Sequence, residues 1–151
     1  MSNSDPIVIV SALRTPMGGF SGCLANVTAP ELGATAIKSV VAQAELSSDQ
    51  VDEVIMGCVL PAGLKQAPAR QAAIAADLAL STVCTTINKV CGSGMKAAMQ
   101  AHDALLAGSI EIAVAGGMES MSNAPYILPK ARAGMRMGHG QVLDHMMLDG
   151  L

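Results

Sequence analysis

The chain has 151 residues, 51% hydrophobic and 14% charged, with a formal net charge of -3. That is about one ordinary domain with enough apolar residues for a sizeable core, which excludes a disordered segment. An aromatic content of 1% and no basic surplus argue against nucleic-acid binding, which uses basic patches and stacking rings.

In chain order, "IVIVSA", Ile7 to Ala12, reads as a buried strand, being short, β-branched and continuously apolar. The polar start before it lacks the basic and long apolar regions of a signal peptide, so a cytoplasmic protein is expected, with a cleaved mitochondrial leader as the alternative. No window approaches the ~18 apolar residues of a membrane helix. "RTPMGGFSG" is a turn-rich loop. "TAPELGATAIKSVVAQA", Thr28 to Ala44, reads as a helix with Thr28 as cap, Pro30 in the first turn and Glu31 at capping-box spacing. Leu32, Ala36, Ile37, Val40 and Val41 mark its apolar face.

Val54 to Leu60 is the second expected strand, and an alanine-rich helix starts near Pro68. Thr82 to Asn88 is the third strand. The helix over 92–107 is expected to turn Met95, Ala98, Met99, His102, Leu105 and Leu106 inward, and Gly108 closes it. Ile110 to Gly117 is the fourth strand. Strands alternating with helices imply a layered α/β sheet with covered faces.

After Gly117 the texture changes. Residues 118–151 hold more than half of the chain's 11 methionines, with added Gly, Pro and charge. They read as an excursion from the α/β core over residues 1–117, with a short helix near Val142 to Leu148. Methionine suits both a varied apolar ligand and a loosely packed contact, and the sequence leaves that choice open.

The four cysteines, Cys23, Cys58, Cys84 and Cys91, have irregular spacing and no CxxC. A zinc site or disulfide framework is therefore not expected, and reduced thiols are. Cys58 and Cys84 fall inside apolar strands and read as core. Cys23 lies in a Gly/Ser loop, exposed without a role.

Cys91 differs. It sits in "TTINKVCGSGMKA", between a β-type run and the start of a helix. Unpartnered amides and the helix dipole at such a position favour thiolate over thiol. Lys89 and Lys96 add positive charge nearby. Gly92, Ser93 and Gly94 leave room for a substrate carbonyl and leave amides free for an oxyanion. The opposing reading is one more small buried cysteine, the usual fate of the residue type. Spacing alone leaves the two evenly balanced.

These residues carry a family resemblance. "NKVCGSGMKA" resembles the nucleophile motif of thiolases, which make or cleave 3-ketoacyl-CoA. "SALRTPMGGFSG" and "VIMGCVLPAGLKQAPARQAA" are similar to their first and second strands with the following loops and helix. "AVAGGMESMSNAPY" and "MGHGQVLDHMMLDGL" are similar to the start of their loop domain. The motifs run the length of the chain in order, nearest to the acetyl-CoA acetyltransferase type. The resemblance implies the layered αβαβα thiolase fold, first half only, with residues 118–151 opening the loop domain.

It also implies a mechanism. Cys91 takes an acyl group from acetyl-CoA, with its own amide in the oxyanion hole. A second acetyl-CoA loses an α-proton and attacks the acyl-enzyme, giving acetoacetyl-CoA; thiolysis is the reverse. Coenzyme A is substrate and product, and no metal or redox cofactor is expected. A homodimer or homotetramer is expected, with no nucleic-acid or membrane partner. The strand before the nucleophile lies near the dimer contact of thiolases, so "VCTTIN" is a candidate pairing edge.

The family's downstream motifs, an Asn-Glu pair, a Gly-His-Pro histidine and a Cys-x-Gly turn, do not occur. The expectation is an N-terminal piece that lacks the activating histidine and the α-proton acid/base. His102 is expected to pack or hydrogen-bond in the core, while His139 and His145 are candidates to line a CoA channel. Lys130, Arg132 and Arg136 form a basic cluster suited either to CoA phosphates or to a solvated face. Arg70 and Gln66 are expected to cap a helix or bridge subunits, Asn88 to satisfy local backbone, and Glu119 and Ser120 to be structural. Two functions remain: an acyltransferase half-site, and a non-catalytic module that dimerises or binds acyl-CoA. "NKVCGSGMKA" followed by "AGGMESMS" disfavours a fatty-acid or polyketide condensing enzyme.

Overall fold

A computed structural model describes residues 6–151; the polar start lies outside them. Its centre is a parallel three-stranded sheet of β1 (Glu53–Gly57), β2 (Val83–Ile87) and β3 (Ala113–Gly117), in the order β2-β1-β3. Helices α1 (Ala29–Gln43), α2 (Pro68–Ala75) and α3 (Ser93–Leu106) cover it. The chain leaves β1 for β2 on one side and then crosses to β3 on the other. Crossovers of one hand that run in opposite directions put their helices on opposite faces.

Alternation along β1 serves both faces. Val54, Met56 and Cys58 enter the core shared with α1 and α2, whereas Ile55 enters the second core with Ala97 and Ala101 of α3. Helix α1 starts as its sequence dictates, with both the backbone N–H and the hydroxyl of Thr28 donating to the Glu31 carboxylate. Ile37 and Val41 are buried, while Leu32, Ala36 and Val40 line a cavity of about 850 Å³ between α1, β3 and the loop over 13–20. Where α1 packs on α2, a Cβ on Gly33 would stand 3.2 Å from the Ala72 Cβ and 2.6 Å from the Met118 sulfur.

Several expectations fail. Ile7 to Ala12 forms no strand, and Ile9 is 89% exposed. A strand exists only when its amides pair, and none of the described strands pairs with this segment. The fourth expected strand is shorter than read, because the Asp52 carboxylate accepts from the amides of Glu111 and Ile112 before the ladder begins.

The inward face of α3 is also different. Ser93, Ala97 and Ala101 are buried, whereas Met95, Ala98, Met99, His102 and Leu106 are exposed. Small residues let the helix sit close on the sheet, which large ones at those positions would prevent. His102 therefore lies on the surface, 3.4 Å from Asp103, not in the core.

Beyond β3, Met121–Asn123 form one tight turn, and β4 (Tyr126–Ile127) pairs antiparallel with β5 (Leu143–Asp144). A wide π-type turn over Met146–Gly150 replaces the short helix expected near Val142 to Leu148. The Asn123 side chain donates to the carbonyls of Ala25 and Val27, and the Ser120 hydroxyl to that of Val27, tying this segment to the chain before α1. No helix among the described residues is long and apolar enough to cross a membrane.

Candidate functional site

Three strands end at one edge of the sheet. Amides and carbonyls tie those ends together: Cys58 N–H donates to Ile87 O at 3.0 Å and Met118 N–H to Gly57 O at 2.9 Å. Open α/β sheets bind ligands outside the carboxyl ends of their strands. At that edge lies a shallow cleft of about 300 Å³, lined by Gly57, Val59, Cys91, Gly94, Gly117 and Glu119 among others.

Cys91 is exposed at this cleft, two residues before the first residue of α3. Its setting is a tight turn in which Gly92 N–H donates to Lys89 O at 3.0 Å. Val90 inside the turn has φ +48°, a left-handed conformation that a β-branched residue adopts only under constraint. Asn88 Oδ1 accepts from Val90 N–H at 2.8 Å, and Asn88 Nδ2–H donates to Val59 O at 3.3 Å, the backbone role expected of it.

Glycine makes the close approach possible. Gly57 points to the α3 face, and a Cβ there would lie 2.6 Å from the Ser93 Cβ and 2.8 Å from Gly94 N. A Cβ on Gly117 would be 3.5 Å from Gly94 Cα. The start of α3 thus rests directly on the ends of β1 and β3. Sequence reading found Ser93 and Gly94 but missed Gly57; a glycine ending an apolar strand was the available signal.

Glu119 has the structural role expected. Its carboxylate accepts from Val59 N–H at 2.7 Å and Leu60 N–H at 3.0 Å, and the Cys58 thiol points at it from 3.7 Å. Cys58 is 2% exposed. Burial, reinforced by the Glu119 charge, pushes its thiol from an ordinary value of 9.0 up to about 12. A raised native value means stability is fully present below 9.0 and is lost as pH climbs toward 12, because the unfolded chain releases a proton that the fold retains. Urea unfolding between pH 9 and 11 is therefore expected to show a falling midpoint that flattens in Cys58→Ala.

The other expected residues separate. Cys23 is exposed and Cys84 half-buried. Lys130 and Arg136 share, with His139, a cavity of about 720 Å³ that Arg132 does not line; all three cations are exposed. Arg70 lies within α2, not before it, and donates to the carbonyls of Leu80 and Thr82 at 2.8 and 2.7 Å, bracing the approach to β2. The Gln66 carbonyl accepts from the Gln71 side chain at 2.6 Å.

His145 is 5% exposed, and its Nδ1 is 2.6 Å from Asp149. Its Nε2 accepts from Ala62 N–H at 3.4 Å, so it pins the last segment to the loop after β1. The i,i+4 spacing of His145 and Asp149 was the missed signal. Among the described residues no group of three or more His, Cys, Asp or Glu side chains is arranged to hold a metal ion.

Residues 7–151 match the family model described as "Thiolase, N-terminal domain". The chain belongs to the thiolase family. Relatives named acetyl-CoA acetyltransferase from Cupriavidus necator and Escherichia coli are each 56% identical to this thiolase, over 145 and 146 residues and 96% and 95% of the chain. An Ascaris suum Acat5 thiolase, solved in complex with coenzyme A, superposes with a TM-score of 0.90 at 42% identity over 94% of the chain. The thiolase chain spans 37% of the length of each of these proteins. Its α/β architecture is thus the N-terminal part of the thiolase fold.

Proposed function

We propose that Cys91 is the acyl-accepting nucleophile of an acetyl-CoA acetyltransferase. The observation that carries this reading is its exposed position at the cleft where three strand ends meet the start of α3. The Cys91 sulfur attacks the thioester carbonyl of acetyl-CoA, and the oxyanion so formed is held by the Cys91 amide. Collapse expels the CoA thiolate and leaves the acetyl group on Sγ. A second acetyl-CoA, deprotonated at its α-carbon, then takes the acetyl group to give acetoacetyl-CoA and the free cysteine. Thiolysis runs the same steps backwards.

The resemblance gives activation of the sulfur and removal of the α-proton to motifs absent from these 151 residues. This chain contributes the nucleophile and its surroundings. Coenzyme A passes through as substrate and product, and neither a metal nor a redox cofactor enters the scheme. Lys130 and Arg136, facing one cavity, are the better placed of the three cations to meet CoA phosphates. Self-association is supported by β2, which is an outer strand of the described sheet with Val83 exposed.

Incubation with acetyl-CoA of the chain joined to the downstream thiolase motifs, followed by peptide mass mapping, tests the assignment. One acetyl group is expected on Cys91 and none on Cys58 or Cys84. Cys91→Ser is expected to abolish the stable thioester while the fold persists, since the change is small and exposed. Acetyl found on another residue of that variant at the original rate would transfer the role elsewhere.

A further inference from the structure

We propose that Asn88 and Ser93 are positioning residues that hold Val90 left-handed and thereby aim the Cys91 amide at the cleft. The proposal rests on the reading of Cys91 as acyl acceptor. A valine at φ +48° relaxes unless its backbone groups are held. Both are held by side chains, and the carbonyl also accepts from the Ser93 N–H at 3.1 Å. Val90 N–H donates to Asn88 Oδ1 at 2.8 Å, and Val90 C=O accepts from the Ser93 hydroxyl at 2.6 Å. The same Ser93 Oγ accepts from Lys89 N–H at 2.8 Å, so the hydroxyl closes the turn from both ends.

The clamp is anchored outside the turn. Asn88 donates to Val59 O, beyond the end of β1. Ser93 is 4% exposed, seated over Gly57, where the position of a Gly57 Cβ is already only 2.6 Å away. Losing either side chain lets Val90 return to negative φ, which rotates the peptide between Val90 and Cys91. That peptide carries the Cys91 N–H. The sulfur stays exposed at the surface, but the amide no longer points where the oxyanion forms.

Two reactions at the same sulfur separate this from a loss of structure. Acetyl transfer from acetyl-CoA needs the amide; alkylation by iodoacetamide needs only an exposed sulfur. Both are read at Cys91 by peptide mass. Ser93→Ala and Asn88→Ala are expected to slow acetylation by about tenfold or more while leaving alkylation near its original rate. Adding Val90→Gly, which adopts left-handed backbone freely, is expected to restore acetylation in the Asn88→Ala background.

Unchanged acetylation, equal loss of both reactions, or no restoration by Val90→Gly would each overturn the proposal. Should Ser93→Ala fail to fold, the exposed Asn88 pair decides alone. No acetyl on Cys91 of the unaltered protein removes the nucleophile reading and this one with it. Normal acetylation with indifferent variants removes only this one.

Discussion

Gly57→Ala is expected to destabilise the fold by about 3 kcal/mol, the upper end for one methyl forced into a packed interior. The added carbon would meet three atoms of the chain at once: Ser93 Cβ at 2.6 Å, Ser93 C at 2.7 Å and Gly94 N at 2.8 Å. Two of these are backbone, so no side-chain rotation relieves the contact. Either the start of α3 lifts off the sheet or β1 bends. Both move the turn that carries Cys91, and acetylation at Cys91 should fall with stability. Urea unfolding followed by circular dichroism measures the effect. Gly19→Ala is the control, since nothing lies within 4 Å of its added carbon. A Gly57 variant as stable as the Gly19 variant would mean that α3 has room to move.

Glu119→Ala is expected to cost about 3 kcal/mol or more. The carboxylate is the acceptor for two amides, Val59 and Leu60, in the loop that leaves β1. A hydrogen bond to a charged group contributes about 1.5–3 kcal/mol, and a buried donor left without a partner adds its desolvation cost. Leu60 is 5% exposed, so water reaches its amide poorly. Glu119→Gln keeps the shape but replaces one acceptor oxygen with a donor, and its loss should be intermediate. A second reading follows from Cys58. Removing the carboxylate removes the charge that helps to push that thiol up to about 12, so its titration should move back toward 9.0. Hydrogen exchange at Val59 and Leu60 should quicken in step. A variant with unchanged exchange there would show that other groups hold the loop.

The candidate site was half legible in the residues. "NKVCGSG" placed a cysteine ahead of a helix among small residues, and the structure seats it there, exposed. What could not be read was the clamp around it. Val90 is an ordinary strand residue in any propensity scale, and its left-handed φ leaves no mark in the sequence. Glu119 and Val59 are 60 residues apart and meet only because β1 and β3 are neighbours. His145 likewise meets the loop after β1 through contacts that no local pattern encodes.

Local chemistry alone determined α1 with its capping box, the helix opening after Cys91 and the family to which these motifs belong. Each depends on groups a few residues apart, where propensity and hydrogen bonding act without knowledge of the rest. Tertiary structure decided which face of α3 is buried, since depth of approach to the sheet selects Ala97 and Ala101 over Met95 and Met99. It also decided that Ile7 to Ala12, apolar and β-branched, is no strand. A helix satisfies its backbone within itself, whereas a strand depends wholly on a neighbour that its own residues cannot specify.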